Sequence, residues 1–304
     1  MNNKTKESTT KRLDVNNILK ELEESVEKIF SSEYYLKTYL KTYAQFHNYS
    51  YNNVIWILSQ RPDASYVASY VDWSRKFNRT VKKGSKGIKV LVPIQKKYSV
   101  QEEVKSEDGS KYIAEKEIKK LYFKVGHVFD VADTEGQELP TLTHTLDYNS
   151  DFLKEVIKKI VDASVIPITI DSKDTAKYDD VNGYYIPAKN EIHVRADLPD
   201  LHRLKTIVHE LSHGIQETEH KAVVKELDRN TKEVVAESTA YVVMRMLQNL
   251  YGMEEISSAE YSFGYIVGWS TGKELKELKA TLQLISLISN SIFDWIASLE
   301  IQSV

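Results

Sequence analysis

The chain has 304 residues, of which 28% are charged and 41% hydrophobic, with 11 Gly, 6 Pro and no Cys. That composition excludes a collagen-like, a disulfide-stapled or a wholly disordered chain. Without cysteine there is no thiol nucleophile, no thiolate-bound zinc and no iron–sulfur cluster, so any metal must be held by His and carboxylates. The length favours two domains, each able to bury its own core. The start, MNNKTKESTTKR, has no apolar signal region and no stretch nears the roughly 18 apolar residues of a membrane helix, so a soluble, cytoplasmic protein is expected.

Residues 1–12 are polar and aperiodic and read as a disordered tail. Val15, Ile18, Leu19, Leu22, Val26, Ile29 and Phe30 then recur at three- and four-residue spacing, the pattern of one buried helix face. A second helical pattern covers 34–59. GIKVLVPI (87–94) and KLYFKVGHVFDV (120–131) read as strands. Between them a charged excursion, 99–118, reads as a solvated insertion with a hairpin turn at Asp108-Gly109. The turn-rich segment 132–150 places a domain boundary, giving an N-terminal α/β domain at 13–140, a linker at 141–150 and a second domain at 151–304. In that second half DFLKEVIKKIVDAS reads as a helix, while PITI, GYYIP and EIHVR read as strands of a small antiparallel sheet. Three helices follow, near 200–216, 231–250 and 272–299. The fold class is α+β, with the second domain mostly helical.

His209-Glu210-Leu211-Ser212-His213 is an HExxH pattern inside a segment that is helical on independent grounds. Residues four apart lie one above the other on a helix, so both imidazoles can reach one Zn2+ ion. Glu210 lies beside them as a base for a proton of zinc-activated water. A three-ligand site needs one more donor, and Glu233-Val-Val-Ala-Glu237 supplies two glutamates on one helix face. Glu233 is assigned as the ligand and Glu237 as the acceptor of a ligand histidine's other N–H, with the reverse assignment as the alternative. The competing reading is that Asn230 and Glu233 form a capping box, N-x-x-E, in which Glu233 serves only the helix start.

The N-terminal half carries a different signal. Residues 31–100 hold 13 of the 31 aromatics, and Trp73 to Lys97 contains nine cations and no acid: Arg75, Lys76, Arg79, Lys82, Lys83, Lys86, Lys89, Lys96 and Lys97. Dense positive charge binds phosphates and exposed rings stack on unpaired bases, so the segment fits a single-stranded nucleic acid surface. The alternative is a solvated charged face over aromatics that belong to the core, as Trp56 in its apolar run suggests.

Several short motifs in one order carry a family resemblance: FHNYSYNN (46–53), SYVASYVDW (65–73), NRTVKKGSKGI (78–88), VFDVADTEG (128–136), GYYIPAKNEIHV (183–194), TIVHELSH (206–213), EVVAE (233–237) and YIVGW (265–269). Over roughly 14–300 the sequence resembles the ArdC-type antirestriction proteins of plasmids and other mobile elements. The resemblance implies a single-stranded-DNA-binding domain followed by a zincin-like metallopeptidase domain, with the antirestriction role of protecting incoming DNA. It implies zinc on His209, His213 and Glu233, catalysis by Glu210, and DNA binding around Asn53, Trp73 and Arg79 to Lys86. A protein substrate, whether a restriction enzyme or a regulator, is a further expected partner. The competing functions are a repressor-cleaving regulator like the ImmA and IrrE proteases, and a shielding protein whose zinc site is not catalytic. Family members often carry a His at the position of Ser262, so that role does not transfer.

Overall fold

A computed structural model describes residues 20–105, 111–139, 150–171, 181–253, 261–299 and 301. The expected tail, the Asp108-Gly109 turn, Val15, Ile18, Leu19 and nearly all of the expected linker lie outside the described residues. Secondary structure is mixed α and β. Among the described residues no helix is long and apolar enough to cross a membrane.

The chain divides into two compact units, and the division differs from a single break near residue 140. One unit is Gln60–Gln137; the other joins Met1–Ser59 to Glu138–Val304. A helix through residues 20–30 (α1), α2 (Glu33–Gln45) and α3 (Tyr51–Gln60) therefore belong with the C-terminal half rather than with the strands that follow them. The reason is in their buried faces. Leu22, Val26, Leu36, Leu40, Ile55 and Ile57 are buried, and α2 lies against the helices Arg229–Tyr251 and Phe263–Ser270. Tyr43 Oη shares a 2.6 Å hydrogen bond with Ser286 Oγ, and Asn290 Nδ2 donates to the His47 carbonyl at 3.3 Å. Phe30 meets Trp269 edge-on at 5.9 Å. The single helix expected over 34–59 breaks at 46–50, where Phe46 ends α2 and Ser50 Oγ accepts from the backbone N–H of Asn53.

The rest of this unit is built from α5 (Ser150–Ala163), β6 (Ile168–Asp171), β7 (Gly183–Ile186), β8 (Glu191–Arg195), α6 (Asp200–Thr218), α7 (Lys221–Val224), α8 (Arg229–Tyr251), α9 (Phe263–Ser270) and α10 (Leu275–Ala297). The sheet has the order β6-β8-β7 and is mixed, not antiparallel throughout. The Ala188-Lys189-Asn190 turn, with Asn190 at φ 53, folds β7 back on β8, whereas β6 arrives from α5 and runs parallel to β8. Helix α6 lies against β7 and β8 and crosses α8. Its approach to the sheet is close because Gly183 has no side chain: a Cβ there would meet Thr206 Cγ2 at 2.8 Å. Leu204, Ile207, Val208 and Leu211 form the buried face of α6.

In the other unit β1 (Val67–Ser69), α4 (Tyr70–Arg75) and β2 (Arg79–Val81) precede β3 (Ile88–Lys105) and β4 (Lys111–Asp130), and β5 (Thr134–Gly136) follows them. The sheets are β1-β4-β3 and β2-β5. The excursion at 99–118 is not a loop: β3 and β4 continue through it as an antiparallel ladder from Ile88/Val128 to Lys105/Lys111. Motifs 65–73 and 128–136 meet each other. Asp130, 1% exposed, accepts backbone N–H bonds from Ser65 at 2.7 Å, Tyr66 at 3.2 Å and Ala132 at 2.9 Å. Replacing it leaves three donors in a buried turn without their acceptor. Asp130→Ala is accordingly expected to destabilise this unit by about 3 kcal/mol or more, read as a shifted midpoint in denaturant unfolding.

Candidate metal centre

Helix α6 begins at Pro199, and Arg203 fixes its first turn by binding Asp200 at 2.6 Å and the Ala196 and Leu198 carbonyls at 2.7 Å each. Two turns on, His209 and His213 leave the helix on the side away from its apolar face. Helix α8 begins at Asp228, whose side chain accepts from the Thr231 backbone at 2.7 Å. The helix therefore starts two residues before Asn230, and Glu233 stands beyond the capping position. The capping-box reading of Glu233 is not realised, and the carboxylate reaches across to α6 instead.

There the donor atoms converge. His209 Nε2 and His213 Nε2 are 3.2 Å apart; Glu233 Oε1 is 3.0 Å from the first and Oε2 is 3.3 Å from the second. One donor from each of the three residues lies within 4.8 Å of the others, a grouping that could hold a metal ion. For ligands at about 2.0 Å from a tetrahedral ion, neighbouring donors are about 3.3 Å apart, so the triangle has the size that such an ion requires. The donor set of two imidazoles and a carboxylate, with one side facing a cleft, suits a divalent cation with an open coordination position.

Charge at the site points the same way. Glu237, one turn after Glu233, accepts from His209 Nδ1 at 3.2 Å, from the Ser262 backbone N–H at 3.1 Å and from Lys205 Nζ at 3.3 Å. Lys205 also lies 4.3 Å from the Tyr261 ring centroid. Burial pushes the Glu210 carboxyl up, against the charges of His209 and His213, and the Tyr185 backbone N–H of edge strand β7 binds it. Hydrogen bonds from His209 and then His213 hold Glu233 far below the usual carboxylate range. Burial would lower His209, but its bonds to Glu233 and Glu237 and the charge of Glu210 outweigh that and raise it to about 10. The carboxylates thus favour positive charge at His209.

The sequence-derived metal residues all line one cleft of about 850 Å³, with Glu210, 7% exposed, at its wall and Tyr184, Tyr185 and His202 around it. Lys205 and the Ser262 N–H were not anticipated. Lys205 was accessible from spacing, since it precedes His209 by one turn; the Ser262 contact is tertiary and left no local trace.

The expected nucleic-acid residues are dispersed, and several are structural. Trp73 is fully buried, its Nε1 donating to the Phe129 carbonyl at 2.8 Å, so it offers no ring face for stacking. Asn53 is buried in α3, which belongs to the other unit. The Arg79 guanidinium is spent on Thr134 Oγ1 at 2.7 Å and on the Thr134, Gly136 and Gln137 carbonyls. Lys76 pairs with Asp72 at 2.9 Å, and Lys82 Nζ donates to the Ala132 carbonyl at 3.0 Å. Arg75, Lys83 and Lys86 are exposed. The run of cations in this stretch is therefore partly a set of clasps that close β2 on β5.

Residues 9–129 match the family model described as the N-terminal domain of anti-restriction factor ArdC. The match takes in the N-terminal motifs at 46–53, 65–73 and 78–88. Across 281 residues it is 24% identical to the uncharacterized protein pXO2-81 of Bacillus anthracis, over 83% of this chain and 46% of that protein. It thus spans about half the length of the curated relative it matches. Two solved structures of antirestriction ArdC from the R388 plasmid are similar at 17% identity. The metal-free one covers 82% of this chain and 86% of its own at a TM-score of 0.44; the Mn(II)-bound one covers 91% and 97% at 0.48.

The raised His209 implies a pH dependence for metal-stripped protein. Folding binds a proton that the unfolded chain releases near 6.5, so the contribution is complete below that pH and is lost as pH rises through about 10. Thermal melts of chelator-treated protein from pH 6 to 10 should show falling stability, and Glu233→Gln should flatten the fall. Imidazole resonances of His209 titrating near 6.5 would contradict the assignment.

Proposed function

We propose that the chain is an ArdC-type antirestriction protein whose larger unit is a zincin-like metallopeptidase and whose N-terminal half engages single-stranded DNA. The observation that carries the enzymatic part is the convergence of His209, His213 and Glu233 on one point beside the buried carboxyl of Glu210. His209, His213 and Glu233 would hold the ion, zinc being the divalent cation best suited to two imidazoles and one carboxylate in a tetrahedral arrangement. Bound there, it supplies Lewis acidity toward water and a scissile carbonyl.

The chain's own groups divide the remaining work. Glu210, raised by burial, takes a proton from the attacking water and returns it to the leaving amine. Glu237 fixes the His209 ring through Nδ1, so that Nε2 faces the ion, and Lys205 and the Ser262 N–H hold Glu237 in turn. The match to the ArdC N-terminal domain and the cations between residues 75 and 97 support the DNA partner.

Metal analysis of purified variants tests the site. His209→Ala and His213→Ala should each lose stoichiometric metal while Glu210→Ala keeps it; equal loss from all three would overturn the role given to Glu210. In chelator competition Glu233→Ala should cost more affinity than Glu237→Ala, for which a drop of about 10- to 100-fold is expected. The function is tested by comparing protection of transferred DNA from restriction with wild type and Glu210→Ala at equal metal content. Loss of protection supports the peptidase; full retention would leave a shielding protein whose metal is structural.

A further inference from the structure

Strand β1 pairs with β4 only at Val128, Phe129 and Asp130, whereas β3 and β4 stay paired for many residues beyond that point. The two strands therefore project as a ribbon. Leu121 and Phe123 are 57% and 56% exposed on it, and Tyr98 and Tyr122 are exposed as well. An isolated two-stranded ribbon is marginal in water, and this one adds a conflict of its own. The register sets Lys96 directly across from Lys120 and Lys97 directly across from Lys119. Like charges opposite each other destabilise a ladder, and here two such pairs are adjacent, one on each face. Further out the strands show the relaxed alternative, with Lys116 bound to Glu102 at 2.9 Å.

Within the chain only part of the charge is answered. Lys97 pairs with Glu117 at 2.9 Å. Lys96 and Lys120 instead lie 5.7 and 5.9 Å from the ring centroids of Tyr122 and Tyr98, which lean together with centroids 6.3 Å apart. On the opposite face Phe123 stands across from Pro93, two positions beyond Leu121 and four from Lys119 along the strand. Anionic charge from outside would relieve the opposed ammonium groups, and exposed rings beside them call for flat apolar faces. A partner that alternates charge and flat rings along one strand is single-stranded nucleic acid. We infer that the middle of this ribbon is the surface that grips it, the strand passing around the ribbon so that one phosphate meets each opposed lysine pair, with bases on Tyr98 and Tyr122 on one face and on Phe123 on the other. The inference rests on the DNA-binding reading above and moves the binding surface away from Trp73 and Arg79, which the structure uses internally.

The test uses the full chain and fluorescence anisotropy with an oligo-dT probe and a duplex of equal length across a salt series. One variant replaces Lys96, Lys97, Lys119 and Lys120 with Gln, a second replaces the same four with Arg, and a third is Phe123→Ala. With one phosphate at each lysine pair, each phosphate released should lower the slope of log affinity against log salt by about 0.7, so the Gln variant should show a slope shallower by up to about 1.4. The Arg variant should keep the wild-type slope, and Phe123→Ala should weaken binding at every salt concentration. Thermal melts check folding; should the Gln variant melt early, Lys96→Gln/Lys120→Gln is read in its place with about half the change. Wild-type slope in a folded Gln variant overturns the ribbon while leaving DNA binding intact. Failure of wild type to bind either probe overturns the DNA reading and the ribbon with it. Equal affinity for both probes, abolished together in the Gln variant, overturns the single-strand assignment in favour of a ribbon seated in a duplex groove.

Discussion

Three carboxylates packed around two imidazoles, where α6 meets α8, concentrate negative charge that favours a positive partner among them. Glu210, Glu233 and Glu237 come from α6 and α8; Glu210 and Glu237 are buried, while Glu233 opens on the cleft with its side chain 46% exposed. Every local feature answers that constraint. Lys205 leans on Tyr261 to reach Glu237, the Ser262 N–H adds a second donor, Tyr185 gives its N–H to Glu210, and His209 takes up a proton. An ion held by the two imidazoles and Glu233 would meet the same demand with more charge in less space, displacing the proton as it enters. Affinity for metal and the cost of its absence are then two readings of one electrostatic fact.

The second organising fact is that the larger unit is assembled from two separated stretches of chain. The ArdC N-terminal match, 9–129, crosses the boundary at 59/60 and so takes in helices of one unit and strands of the other. A domain defined by sequence and a unit defined by packing need not coincide when an element is inserted into a fold that closes on both sides of it. A fragment ending near residue 140 would keep the smaller unit whole but would strip α1 and α2 of α9 and α10, exposing Leu36, Tyr39 and Leu40.

What the sequence made legible follows from the range of the interactions involved. Helices α5, α6 and α10 declare themselves because their apolar periodicity runs for several turns, and HExxH marks a candidate metal pair because both histidines sit on one helix. Glu233 was readable only as one of two choices, since spacing alone does not rank carboxylates four apart; in the fold Glu233 lies against both Nε2 atoms and Glu237 against His209 Nδ1. Trp73 and Arg79 misled for the opposite reason. An aromatic and a cation in a basic run look like a binding surface until the Phe129 carbonyl and the Thr134 to Gln137 backbone, more than fifty residues on, are seen to claim them. The long ribbon was read as two strands and a solvated insertion because alternating polar residues with two exposed faces carry little periodic signal. The placement of residues 20–59 left no sequence trace, for the partners that bury them lie on α8, α9 and α10, far along the chain.

That separation has a consequence in time. Tyr43 and its partner Ser286 are 243 residues apart. At about 5 to 20 residues per second, synthesis delivers the second on the order of 10 to 50 seconds after the first. Meanwhile the β3–β4 hairpin, closed by local contacts, can form within microseconds of emerging, so the inserted unit completes while the helices that precede it wait with apolar faces uncovered. The nascent chain is thus most exposed to aggregation and to chaperone capture at α1 to α3, and its last helix, α10, is the one that ends the exposure.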